Sequence, residues 1–162
     1  MSTCVKTLIK TSLLISEQVL FTYLNDFLDN ELYMQPALKS NSIGWQLGHL
    51  IISESEVVKL LSGHKIDLPS GFQVAHSKEN SPIPAEKWTL SQYLDLFKSQ
   101  RELTHRYLEQ INDQDLERPA PQKMRSYAPT VADLLLAQSS HVFMHAGQIA
   151  VLRRQLGKPI VI

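Results

Sequence analysis

The residues best placed by type and spacing to do chemistry are His141 and His145, in the run Ser139-Ser140-His141-Val142-Phe143-Met144-His145-Ala146-Gly147-Gln148-Ile149. Side chains four residues apart on a helix lie on one face about a turn apart, so both imidazoles can point at a single ion. A third imidazole would complete a set able to hold a divalent first-row metal and leave positions open to water or substrate. His49, in Trp45-Gln46-Leu47-Gly48-His49-Leu50, is the candidate. The plainer alternative is a helical bundle whose histidines are hydrogen-bonded core groups or solvated groups without a metal. His64 behind Gly63, His76 in a long polar connection and His105 beside Arg106 are read as solvated, although His76 can lean over a site from its loop.

The pattern excludes several other centres. Residues 142 to 144 are Val, Phe and Met, so no metalloprotease His-Glu-x-x-His is present. Gln138 and Val142 stand where a di-iron carboxylate site would need glutamates, which leaves a mononuclear site. No Gly-rich phosphate loop, dinucleotide fingerprint or nucleophile elbow names a substrate, and no catalytic side chain is identified.

Supporting groups are drawn from the same helix faces. Gln138 and Gln148 stand three positions outside the histidine pair, and Ser53 and Glu56 follow His49. The two glutamines can hydrogen-bond a ligand or orient a substrate, or simply be polar core groups, and Ser53 and Glu56 can accept from an imidazole N–H and fix its tautomer. Trp45, Trp88 and Tyr127 are candidates to line a pocket, with core packing the default for Trp45. Arg153 and Arg154, in the last helical turn, either favour the helix C-terminal dipole and solvate the surface or bind an anion.

The elements that must position these residues are helices. Val131, Leu134, Leu135, Val142, Ile149 and Leu152 recur at three- and four-residue intervals, setting the histidine face beside an apolar stripe. Thr130 to Asp133 reads as a capping box with Asp in place of Glu, and Gly157-Lys158-Pro159 as a stop, so this helix should run from about Val131 to Leu156. A first helix is expected from Cys4 to Asp29, and a second from a cap at Asn41 or Ser42 to Gly63. Gly44 and Gly48 inside the second suggest close backbone approach or room beside His49. A third is expected from the capping box Thr89-Leu90-Ser91-Gln92 to Asn112. The proline-bearing connections 64 to 88 and 113 to 129 carry no sustained period. With no alternating strand pattern and no repeats, the expected fold is an all-α four-helix bundle with long crossover connections, occupying residues 1–162 as one domain.

Composition narrows the partners. Sixteen Lys and Arg balance sixteen Asp and Glu, so no net field draws the chain to nucleic acid or an anionic membrane. Hydrophobic content of 43% and charged content of 20% are those of an ordinary globular protein. The single cysteine, Cys4, allows no internal disulfide, and with neither a secretory signal nor a membrane span the expected location is cytoplasmic.

Together these residues resemble the DinB-like family of metal-binding four-helix proteins. The match rests on Asn41 to Leu50 around His49, and on His141 to Ile149 followed by Leu152-Arg153-Arg154-Gln155-Leu156-Gly157-Lys158-Pro159. The resemblance puts the family's ligands on His49, His141 and His145, and implies a divalent ion such as zinc or nickel. It also implies a bundle of unusual handedness with a long crossover between the second and third helices, and a homodimer. Relatives include bacillithiol transferases and mycothiol-dependent maleylpyruvate isomerase, so the implied activity is a thiol S-transferase using a low-molecular-weight thiol on a small-molecule substrate. Activation of water by the same ion would make a hydrolase. The competing reading is a non-catalytic, metal-binding or stress-linked dimeric interaction protein, whose ion Glu56 or His76 would close off.

Overall fold

The computed structural model describes residues 4–77 and 82–161; positions 78–81 of the long connection lie outside them. Its helices are α1 (Val5–Leu24), α2 (Ile43–Ser62), α3 (Phe72–Ala75), α4 (Leu90–Gln110), α5 (Asp113–Glu117) and α6 (Val131–Gln155), with 3₁₀ turns at Glu31–Tyr33 and Gln122–Met124. Among the described residues there is no strand, only an isolated bridge between Pro119 and Thr130. No described helix is long and apolar enough to cross a membrane.

The expected caps are in place. Ser42 accepts from the Trp45 amide at 3.2 Å to open α2. Thr89 with Gln92 and Thr130 with Asp133 form reciprocal capping boxes on α4 and α6. Such boxes satisfy amides that the first turn leaves without helical partners. Gly63 closes α2 in the left-handed conformation, φ 77°, where a Cβ would be strained.

Residues 25–29 differ from expectation: α1 stops at Leu24. The Tyr23 carbonyl, which a continuing helix would offer to the Phe27 amide, accepts instead from Arg153 at 2.7 Å. The Phe27 amide turns back to Leu24, and Lys158 takes the Asp26 carbonyl. Tertiary donors thus end the helix where no glycine or proline marks a stop. Arg153 is therefore not a surface cation: it is 2% exposed, ion-paired with Asp26 and bonded to Pro159 O, tying the chain's end to the end of α1. Arg154 remains exposed.

The long helices close a ring, α1 packing mainly on α6 and α2 on α4, with α2–α6 and α1–α4 contacts completing it. One end of the core is filled by Leu20, Leu24, Leu47, Ile51, Phe97, Val142 and Ile149, and the other by Ile9, Leu13, Leu108, Val131 and Leu135. Between α2 and α4 lies a buried ion pair: Arg101 and Glu54, 1% and 3% exposed, are 3.1 Å apart, and Thr104 Oγ1 donates to Glu54. The described parts of the connection between Gly63 and Thr89 fold onto α2 through α3 and an aromatic cluster of Phe72, His76 and Trp88 with Tyr93 of α4.

Candidate metal centre

His49 comes from the first half of α2, and His141 and His145 from the middle of α6, where the two helices pack. Each histidine offers one ring nitrogen to the group, and these three atoms lie within 4.8 Å of one another. The Nε2 atoms of His141 and His145 are 3.2 Å apart. At zinc–nitrogen distances of about 2.0–2.1 Å, two ligands of a tetrahedron stand about 3.3 Å apart, so the pair already has the separation that a shared ion requires. The rings meet edge to face, His49 at 89° to His141 and 67° to His145. Three imidazole nitrogens gathered this closely are a donor set that suits zinc, nickel and related first-row ions.

Electrostatics keep His145 ready for such a role. It is 4% exposed, and burial, reinforced by the neighbouring His141 and His49, pushes its pKa down to about 3. A protonated imidazole here would lose hydration and face two more imidazoles, so the ring stays neutral with a lone pair to offer.

Neighbouring residues orient the rings. Trp45, one turn before His49, stacks on it at 4.8 Å with 17° between planes. Across the interface, Gln46 is fully buried; its Oε1 accepts from His145 Nδ1 at 3.0 Å and its Nε2 donates to Asn41 O at 3.0 Å. Reasoning from sequence passed Gln46 over, because helical spacing relates it to His49 and not to a residue on another helix. Its position three residues before His49, on the turn below, is the signal that could have drawn attention to it.

A cavity of about 450 Å³ opens onto His49 and His141, lined also by Ser53, Met124, Tyr127, Gln138 and Met144. Of the four supporting candidates, it gathers Ser53 and Gln138, whose Nε2 is committed to Leu134 O. Glu56 points elsewhere, 4.0 Å from Lys59 and lining a separate pocket against the crossover connection. Gln148 is exposed beside Pro36 and Val151, also away from the histidines. Tyr127, 65% exposed, is at the cavity rim, whereas Trp88 belongs to the aromatic core.

His76 is neither solvated nor leaning over the cluster. It is 1% exposed, with Nδ1 2.7 Å from Phe72 O and Nε2 2.9 Å from Tyr93 Oη. Its ring fills the notch at Gly48, where a Cβ would come within 2.2 Å of it. Gly44 instead faces Tyr33, Tyr93 and the Leu32 carbonyl, so Gly48 makes room for the crossover connection and Gly44 for the Glu31–Tyr33 turn and α4, neither of them for His49. His105, also expected in solvent, has both ring nitrogens buried on α4, and burial lowers its pKa. His64 is exposed as expected.

The family model described as the DinB superfamily matches residues 13–149, a span that includes all three clustered histidines. No curated protein matches the chain. Among solved structures, the "conserved protein of locus from Enterococcus faecalis" superposes with a TM-score of 0.76 at 19% identity, covering 97% of this chain and 100% of that one. At that identity the likeness is one of fold.

Proposed function

Because the chain belongs to the DinB superfamily, we propose that His49, His141 and His145 hold one divalent metal ion, zinc or nickel, and that the protein is a metal-dependent enzyme acting on a small molecule. The observation that carries this is the convergence of three ring nitrogens at the edge of a cavity open to solvent. The ion would supply Lewis acidity, favouring the deprotonated form of a thiol or water brought into an open coordination position. The chain's own residues do the rest. Neutral His145 is held on α6 by burial, His49 is oriented by the Trp45 stack, and Ser53, Ser140, Gln138 and Tyr127 offer polar atoms in a cavity whose apolar lining is Val57, Met124, Ala137 and Met144.

A thiol S-transferase is preferred over a hydrolase by likeness to characterised relatives alone. Against the alternative of a closed, structural ion stands the placement of the two residues that would close it. His76 is committed to Phe72 and Tyr93, and Glu56 lines another pocket. A homodimer is supported by the outward face of α6, where Leu136 and Phe143, seven positions apart, remain 44% and 40% exposed. Phe143→Glu should then shift the sedimentation coefficient to that of a monomer.

The experiment that tests the enzymatic reading is spectroscopy of the cobalt-loaded protein. Adding β-mercaptoethanol, or azide, should change the visible spectrum by entering an open position. A spectrum indifferent to both would mark a closed ion and overturn the catalytic reading.

A further inference from the structure

We infer that Gln46 is a positioning residue for the metal centre: it imposes the tautomer of His145 that carries its proton on Nδ1, and so directs Nε2 at the ion. This rests on the metal-binding reading proposed above, but its central element concerns the metal-free chain.

A side-chain amide has one accepting end and one donating end, and the surroundings of Gln46 decide which end faces which way. One neighbour is the Asn41 carbonyl, which can only accept; it lies 3.0 Å from Gln46 Nε2. The amide nitrogen must therefore face Asn41, because the reverse orientation would set two carbonyl oxygens against each other in a fully buried place. That leaves Gln46 Oε1 toward His145 Nδ1 at 3.0 Å, and an oxygen there can only accept. Nδ1 consequently holds the proton, and Nε2 holds the lone pair. Nε2 is the atom that lies 3.2 Å from His141 Nε2, within the convergent group.

The chain of donors starts from a fixed point. Asn41 immediately precedes Ser42, whose side chain caps α2 and whose amide donates to Pro82 O at 2.9 Å. The orientation of a ligand on α6 is thus set from the backbone at the start of α2, through one glutamine. Partners behind a ligand imidazole fix its tautomer and ring angle and raise its basicity, and their loss costs about 10–100-fold in metal affinity.

The test compares Gln46→Leu, close to glutamine in size but without an acceptor, with Gln46→Glu, whose buried carboxyl, protonated on the oxygen that faces Asn41 O, keeps an acceptor toward His145. Two quantities are read: the His145 tautomer in metal-free protein by ¹⁵N-edited NMR at neutral pH, and zinc affinity by competition with a chromophoric chelator. The parent and Gln46→Glu should show the Nδ1–H form. Gln46→Leu should show a tautomer mixture and bind zinc about 10–100-fold more weakly, with Gln46→Glu recovering most of that loss. Gln46→Leu with the parent's tautomer and the parent's affinity would overturn the inference, because packing alone would then position the ring. If no variant, nor the parent, binds zinc while the tautomer still follows position 46, the metal-binding reading fails and the orienting role stands. If Gln46→Leu does not fold, Gln46→Glu decides the point: it must keep the Nδ1–H form, and the opposite tautomer there overturns the inference.

Discussion

At the residue scale, the contact between Trp45 and His49 makes a reporter. An indole stacked at 4.8 Å on an imidazole of the cluster sits close enough for a paramagnetic ion bound there to quench its emission. Trp88, packed against Phe72 and His76, lies among the core aromatics instead. Nickel added to the parent should therefore quench fluorescence, Trp88→Phe should keep that response, and Trp45→Phe should lose it; undiminished quenching in Trp45→Phe would place the ion elsewhere. His141 and His145 were legible in the sequence because four-residue spacing on a helix is itself a geometric statement, whereas His49, on another helix, was singled out as a third imidazole on the core side of its helix and by the family resemblance. What holds the three was not legible. Gln46 serves His145 across an interface, and Glu56, chosen for lying on the same helix as His49, turns toward Lys59. Contacts within a helix follow from spacing, whereas contacts between helices depend on how the helices pack.

At the element scale, α2 is built to be approached closely. Gly48→Ala gains helix propensity of about 1 kcal/mol, but its Cβ would stand 2.2 Å from the buried His76 ring. Overpacking of that kind costs about 1–3 kcal/mol, so the variant should unfold at lower urea than the parent and expose the 63–89 connection to protease sooner. An unchanged midpoint would mean that His76 moves aside freely. The Arg101–Glu54 pair makes a second case. Both side chains are buried, so removing one partner strands the other charge, a loss of about 3–5 kcal/mol. Arg101→Met alone should approach that loss in urea unfolding, and combining it with Glu54→Leu should recover part of it. Helix starts were read well because Ser42, Thr89 and Thr130 act locally. The end of α1 was not, since Arg153 takes the Tyr23 carbonyl from a distant part of the chain.

At the scale of the whole molecule, three histidines are held neutral by burial. His76, His105 and His145 all have pKa values lowered from the ordinary 6.5. Below that pH the unfolded chain binds protons that the folded chain refuses. Stability is therefore fully present above about pH 6.5 and falls as the pH drops, by up to about 1.4 kcal/mol per pH unit for each such group. For His145 the decline continues toward pH 3, its folded value. Asp26, whose pKa Arg153 lowers from 3.8, adds its own loss only in more acid solution. Urea unfolding of metal-free protein should accordingly give a smaller free energy at pH 5.5 than at pH 7.5; equal values would mean that these rings are not kept from protons. The all-helical architecture was legible from periodicity and capping residues. The way the crossover connection is bound to α2 was hidden, because His76 reads as a loop residue until its place against Gly48 is seen.

The central claim, that the three histidines share one ion, is tested most directly by elemental analysis. Protein purified without a histidine tag, dialysed against zinc or nickel and then freed of excess, should carry about one ion per chain. His49→Ala and His145→Ala, on different helices, should each lose it while keeping the parent's helical circular dichroism. A parent that cannot be loaded, or variants that retain the full complement, would contradict the assignment.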